Sequence, residues 1–295
     1  MKKWISAFRL RTLPLALASI GMGTFLAAAN GAFDWSVFLL CALTTVFLQV
    51  LSNLANDYGD SIHGADSKDR VGPSRAVQSG MISKTEMKKA ILLFGILSLF
   101  TGLLLIYTAF GLSLNFWIFL GFGLLAIVAA ITYTAGYKPY GYAGLGDLSV
   151  LIFFGFMAVL GSAFLYEKVV YWEYLLPAMS VGLFSVGVLN VNNIRDIESD
   201  AAAGKKSIPV RIGRENAVRY HWILLTLGVL SSVSYVFLTQ VNFYELIFIL
   251  IFPFFVTNAL AVKRNINPSE LDPYLKQMAL STLAFVLLFG IGQLI

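Results

Sequence analysis

The chain has 295 residues, 58% of them hydrophobic and only 13% charged, with a mean hydropathy of +0.78. Soluble globular domains carry about 25% charged residues, so this composition excludes a water-soluble globule. The formal charge of +5 comes without any feature that points to nucleic acid, and the single cysteine, Cys41, excludes an intrachain disulfide or a cysteine-rich metal site.

Apolar runs long enough to cross a hydrocarbon core of about 30 Å recur along the chain. In chain order they predict nine spans, at 13–29, 36–56, 90–110, 116–134, 148–166, 174–194, 222–239, 246–262 and 278–295. No lipid-facing backbone group can stay unpaired, and the runs lack the alternation of barrel strands, so they are expected as helices. The predicted fold is therefore all-α: a polytopic membrane protein with about nine helices in one bundle, forming a single domain over 1–295. The basic start "MKKWISAFRLRTLP" lacks a persuasive small-residue cleavage site, and its helix is read as retained. With the N-terminus inside, every Lys and Arg except Lys168 falls on the inner side, which fixes the expected orientation. The expected location is the cell inner (cytoplasmic) membrane, multi-pass, with membrane lipid around it.

Outer connections such as "GLSLN" and "EKVVYWE" are short, whereas two inner connections are long and polar. These, about 57–89 and 195–221, are expected to form helical caps over the bundle. Ser83 and Glu86 in "SKTE" have the spacing of a capping box, and Gly204 and Pro209 are expected to break the second cap.

The second predicted span runs into "NLANDYGDSIHGADSKDR", and the sixth into "NNIRDIESD". On a helix, the spacings of Asn53, Asn56, Asp57 and Asp60 place them on one face, and Asn192, Asp196 and Asp200 form a second stripe. Like carboxylates four apart repel, so stacks of this kind imply compensating cations. Arg70 and Arg75 follow the first cluster; Lys205, Lys206 and Arg211 follow the second. Either cluster alone reads equally well as a solvated helix end. Two on one side of an apolar bundle suit Mg²⁺, a hard cation that bridges carboxylates to phosphates. The ligand class that fits is a diphosphate head with a lipid tail. His63 reads as a solvated loop residue, His221 as an interfacial anchor beside Trp222, and Asp147 as a helix cap with a secondary substrate-binding role.

"NDYGDSIHGAD…R…GPSRAVQSG" and "NNIRDIESDAAAGKKS" resemble the two aspartate motifs of UbiA-type intramembrane aromatic prenyltransferases. The likeness runs from "RLRTLP" through "YGYAGLGDLSVLIFFG" to the last helix. The Gly64–Asp66 form of the first motif resembles the branch that prenylates 1,4-dihydroxy-2-naphthoate in menaquinone synthesis. The resemblance implies that Asp57, Asp60, Asp66, Asp196 and Asp200 hold Mg²⁺ on a polyprenyl diphosphate. It further implies that Asn53 or Asn56, and Asn192, orient those carboxylates or complete the metal shell, and that Arg70, Arg75, Lys205 and Lys206 receive the diphosphate. Lys205 joins Asp57, Asp60, Asp196 and Asp200 as an expected catalytic residue. Departure of diphosphate leaves an allylic cation that the naphthoate ring attacks, and carbon dioxide leaves, giving demethylmenaquinone. A tyrosine–lysine pair four apart is common in the superfamily; here Tyr133 is followed by Tyr137 and Lys138, so Tyr133 and Lys138 are carried as candidates. Prenylation of 4-hydroxybenzoate or a tetrapyrrole stays open as an alternative, as does a cation or solute transporter. The transporter reading expects acids near the bilayer midplane rather than at helix ends.

Overall fold

Helix follows from the bilayer rule at every predicted apolar run, and the computed structural model places one there each time. It describes residues 2–64, 72, 75–239 and 242–295. Among the described residues nine helical spans are long and apolar enough to cross a membrane, and no strand occurs. A short helix α1 (Lys2–Phe8) precedes α2 (Leu13–Ala29), α3 (Trp35–His63), α4 (Lys84–Phe110) and α5 (Leu114–Thr132). The fifth span begins as α6 (Gly146–Val150), passes through a π-helical stretch at Leu151–Met157 and ends as α7 (Ala158–Glu167). Then come α8 (Leu175–Arg195), a short α9 (Ile197–Ala202) and α10 (Ile208–Leu238). A 3₁₀ segment, Phe243–Ile251, leads into α11 (Phe252–Arg264), and α12 (Asp272–Leu294) ends the bundle.

The polar helix ends differ from the expectation. α3 continues to His63, so the first acidic motif lies inside a helix rather than opening a cap loop at 57. α10 begins at Ile208, which reduces the second expected cap to α9 and its flanking turns. Pro209 sits in the first turn of α10, where a missing N–H costs nothing, and so it opens the helix instead of breaking it. Hydropathy marks only the part of a helix that lies in lipid. Gly213, at φ +78°, kinks α10 after its first five residues, and the part that follows, 214–238, extends about 37 Å, beyond an apolar core of about 30 Å. The capping box forms as expected: Ser83 Oγ accepts from the Glu86 N–H, and Glu86 accepts from the Ser83 N–H at 2.8 Å.

The two sides of the bundle are packed differently. Phe184, Phe248, Phe255, Phe285 and Phe289 fill a dense core among α8, α11, α12 and the 3₁₀ segment. Close approach joins α2 to its neighbours; a Cβ on Gly23 would lie 2.1 Å from the Val159 carbonyl oxygen of α7. On the other side, α2 to α8 surround a large cavity instead of a core. α5 shows most of its surface outward, with Leu114, Trp117 and Val128 exposed, as a lipid-facing wall requires.

Candidate active site

The cavity measures about 880 Å³ and runs from the acidic motifs toward Asn115 and Val170 at the opposite end of the bundle. Apolar side chains such as Ile106, Phe119 and Phe164 line its depth, and the charged groups gather at the motif end. Asn53, Asn56, Asp60, Arg75, Tyr133, Asn192, Asp196, Asp200 and Lys205 all line it, which brings together most of the residues expected from sequence.

Asp60 is the hub. It is 2% exposed. Arg75 donates to its Oδ2 at 3.0 Å, and Tyr142 donates to its Oδ1 at 2.9 Å. The Lys205 ammonium lies 3.2 Å from the same Oδ1 and 3.3 Å from Oδ1 of Asp200, bridging the two motifs. The ammonium also sits 4.9 Å from the centroid of the Tyr142 ring, within cation–π range. Burial pushes the Asp200 carboxyl up to about 6; Lys205 opposes that shift, while the charges of Asp196 and Asp60 add to it. For Lys205, burial acts against the charged form, but Asp60 and Asp200 together outweigh it and raise its pKa.

Local sequence explains this convergence. A Cβ on Gly59 would meet the Thr134 backbone at 2.5 Å, so the glycine inside "NDYGD" lets the segment after α5 lie against α3. Thr134 there donates to Asn56 Oδ1 at 3.1 Å. Gly144 has φ +82°, a conformation that glycine adopts without strain, and a Cβ there would meet the Lys206 carbonyl oxygen at 2.3 Å. This turn carries Tyr142 to Asp60 and is tied down by Arg211, which donates to the Ala143 carbonyl.

The second motif is held by Arg195, which sequence reasoning counted only as an inner basic residue. Its guanidinium grips Asp196 through two bonds of 2.8 Å, donates to Asn192 Oδ1 at 2.9 Å and reaches Asp272 at 2.7 Å. Arg11 pairs with the other side of Asp272 at 3.1 Å. Tyr142 and Asp272 were also missed. Arg195 had a visible signal, since it lies three residues after Asn192 and beside Asp196; the other two had none.

Several expected site residues are placed elsewhere. Asp57 does not line the cavity: its carboxylate accepts from the backbone N–H groups of Ala76, at 3.0 Å, and Val77, at 3.2 Å. At about 100° of rotation per residue, Asp57 is turned aside from Asp60 into the groove under residues 75–77. Asn53 reaches the cavity wall, but its amide donates to the Phe8 carbonyl and to Thr12, tying the N-terminal segment to α3. Lys138 is exposed beside the Tyr137 ring and Lys206 is exposed, and neither lines the cavity. Asp66 and Arg70 lie outside the described residues. His63 belongs to the last turn of α3 and packs against Tyr142. His221 is fully buried and shares a hydrogen bond of 3.1 Å with Asn258, so it is no interfacial anchor.

The oxygen donors fit Mg²⁺ by chemistry. Asp60, Asp196, Asp200, Asn56 and Asn192 present hard oxygens to one cavity mouth. Among the described residues no three acidic, His or Cys side chains are gathered tightly enough to hold an ion. The positive charge between Asp60 and Asp200 is supplied by Lys205, which marks where those carboxylates accept a cation.

The model of the UbiA prenyltransferase family matches residues 15–289. The chain is 44% identical to a Haemophilus influenzae protein named 1,4-dihydroxy-2-naphthoate octaprenyltransferase, covering 100% of this chain and 96% of that one. It is 43% identical to the Escherichia coli protein of the same name, covering 98% and 94% of the two chains. A UbiA homolog from Archaeoglobus fulgidus shares the fold with a TM-score of 0.67 at 17% identity, over 99% of both chains. A structure of a homolog from that organism bound to DMAPP and Mg²⁺ superposes with a TM-score of 0.61 at 20% identity, over 96% of this chain and 99% of that one. With a family match across nearly the whole chain and relatives above 40% identity, the protein belongs to the UbiA prenyltransferase family and is a membrane prenyltransferase.

Proposed function

We propose that the protein transfers a polyprenyl group from polyprenyl diphosphate to 1,4-dihydroxy-2-naphthoate, with Mg²⁺ and with loss of carbon dioxide, giving demethylmenaquinone in its reduced, dihydroxy form (demethylmenaquinol). The observation that carries this reading is the Arg75–Asp60–Lys205–Asp200 chain of charges at the mouth of an apolar cavity spanning the bundle. A diphosphate suits the charged end, and an isoprenoid tail suits the apolar depth. The names of the Haemophilus and Escherichia relatives support the naphthoate as acceptor.

Asp60, Asp196 and Asp200, with Asn56 and Asn192, are the residues to hold Mg²⁺, which supplies Lewis-acid stabilisation of the departing diphosphate when bound. Arg75 and Lys205 place fixed positive charge where negative charge develops, in a site largely shielded from water. Asp57 acts at one remove, fixing the backbone next to Arg75. The apolar walls exclude water from the allylic cation, and the acceptor ring binds near the inner ends of α3 and α8. The basic residues gathered at the motif end argue for that end facing the cytoplasm, in the inner membrane.

The test is Mg²⁺-dependent transfer by purified protein, offering the naphthoate and 4-hydroxybenzoate separately with one all-trans polyprenyl donor. Prenylated naphthoate and labelled carbon dioxide are expected in step with diphosphate release. Preferential prenylation of the benzoate overturns the acceptor; transfer to no aromatic acceptor overturns the reading. Orientation is tested with single cysteines at Ala202 and Leu112 in a Cys41→Ala background, where only the first is expected to label from the cytoplasmic side.

A further inference from the structure

The acidic motifs account for the diphosphate end of the cavity and, among the described residues, leave one buried acid unused. Asp147 opens the fifth span, lines the cavity and is only 9% exposed. Tyr220 of α10 donates to its Oδ2 at 3.0 Å, and the carboxylate also accepts from its own backbone N–H, which fixes its orientation on the cavity wall. Buried carboxylates are expensive unless they serve a partner or a reaction.

Its position next to the diphosphate cluster is set by Tyr133. A Cβ on Gly146 would lie 2.8 Å from the Tyr133 hydroxyl, so the residue before Asp147 abuts that ring directly. Tyr133 in turn feels the charges of Asp147, Asp60 and Asp200; together with burial, the largest cause, they suppress its ionisation. A hydroxyl that cannot ionise is a poor base, and Asp147 is the carboxylate on this wall. Leu189 of α8 closes the same corner, 3.4 Å from the Gly146 Cβ position. A flat aromatic ring resting on Tyr133 therefore has a carboxylate at its edge and the diphosphate cluster ahead of it.

We propose that Asp147 is a catalytic residue that takes the proton from the acceptor's ring hydroxyl and returns it within the same turnover. The proposal rests on the naphthoate reading above. As the hydroxyl beside the carboxylate gives its proton to Asp147, its electrons flow into the ring, and the adjacent ring carbon bonds to the allylic cation. The product is a ring ketone next to a carbon bearing both the prenyl group and the carboxylate. The carbon–carboxylate bond then breaks, carbon dioxide leaves, and the electron pair returns to the ketone oxygen. That oxygen takes back the proton from Asp147, restoring the aromatic ring. Charge and protons balance with diphosphate as the leaving group, and no net proton is released.

The bland alternative is a tie between α6 and α10, and the two bonding partners separate the cases. Asp147→Asn keeps an acceptor for Tyr220 but cannot take a proton, whereas Tyr220→Phe removes the tie and keeps the carboxylate. With wild-type protein shown to prenylate the naphthoate, Asp147→Asn is expected to lower kcat by about 10²–10⁴-fold, the usual worth of acid–base catalysis. Protection against thermal unfolding by Mg²⁺ and a non-cleavable donor analogue should persist, and Tyr220→Phe should retain most of the rate. Added formate should restore part of the rate to Asp147→Ala, which a structural role does not predict. Wild-type turnover in Asp147→Asn, or equal losses in Asp147→Asn and Tyr220→Phe without formate rescue, overturns the proposal. Absence of transfer by the wild type instead overturns the naphthoate reading, and the proton assignment falls with it.

Discussion

Asp60 on α3 and Asp200 on α9 share one counter-ion: the Lys205 ammonium, 3.2 Å from the first carboxylate and 3.3 Å from the second. Removing one partner of a buried ion pair leaves uncompensated charge, which is strongly destabilising. Lys205→Gln should therefore lower the unfolding temperature in chelator, and added Mg²⁺ should raise it by more than in wild type. Turnover should fall as well, because a fixed charge facing the diphosphate is lost. Equal Mg²⁺-dependent shifts in the two proteins would show that the metal does not use the position Lys205 fills.

Asp57 and its neighbours should respond differently. Asp60→Asn, Asp196→Asn and Asp200→Asn are expected to lose nearly all turnover, beyond the stability cost of the Arg75, Arg195 and Lys205 ion pairs that they break. Asp57→Asn breaks one of two buried hydrogen bonds to the Ala76 and Val77 backbone, at a cost of about 1–3 kcal/mol. Its turnover should fall less than in the other three variants, chiefly through a higher KM for the donor as Arg75 shifts. Kinetics alongside thermal unfolding decide it; loss of turnover at unchanged stability would make Asp57 a ligand after all.

The contrast shows how far the sequence could be read. Spans were legible because a long uncharged run has few structural options in lipid. Their polar ends were not, so residues 57–63 and 208–221 were expected in caps while they continue α3 and α10. The i, i+3 and i+4 spacings rightly brought Asp60 and Asp200 to one site, but a stripe several residues wide cannot tell which member turns toward a neighbouring backbone. Asp57 did. Tyr142 meets Asp60 across 82 residues through a turn that depends on Gly144, a pairing that no local spacing announces.

Acidity offers a separate test of the buried mouth. Asp200 has its carboxyl raised to about 6, against about 3.9 for an exposed aspartate. Between those values the folded chain holds a proton that the unfolded chain has released. Metal-free stability from this group therefore falls as pH rises through the window and is level above it. Asp200→Asn cannot titrate, so its unfolding temperature should fall less than wild type between about pH 4 and 6, measured in chelator. Parallel profiles for the two proteins would mean that Asp200 is ionised like an exposed aspartate.

At the far end of the cavity, Phe119 of α5 stacks on Phe164 of α7 with ring centroids 5.4 Å apart, and Phe110 of α4 meets both. Phe119 and Phe164 line the cavity, so a tail descending from the charged mouth reaches this aromatic cluster before the opposite membrane face. Replacing either ring with alanine removes the contacts that close the space, and the gap is large enough to be felt by an apolar ligand. Phe119→Ala should therefore raise kcat/KM for long polyprenyl diphosphates relative to geranyl diphosphate, with the diphosphate contacts and the Mg²⁺ requirement unchanged. Donors of two, four and eight isoprene units, competed in one reaction and resolved by product mass, give that ratio directly. A ratio identical to wild type would mean that the tail turns sideways between the helices into lipid before it reaches Phe119, and that these rings serve packing alone.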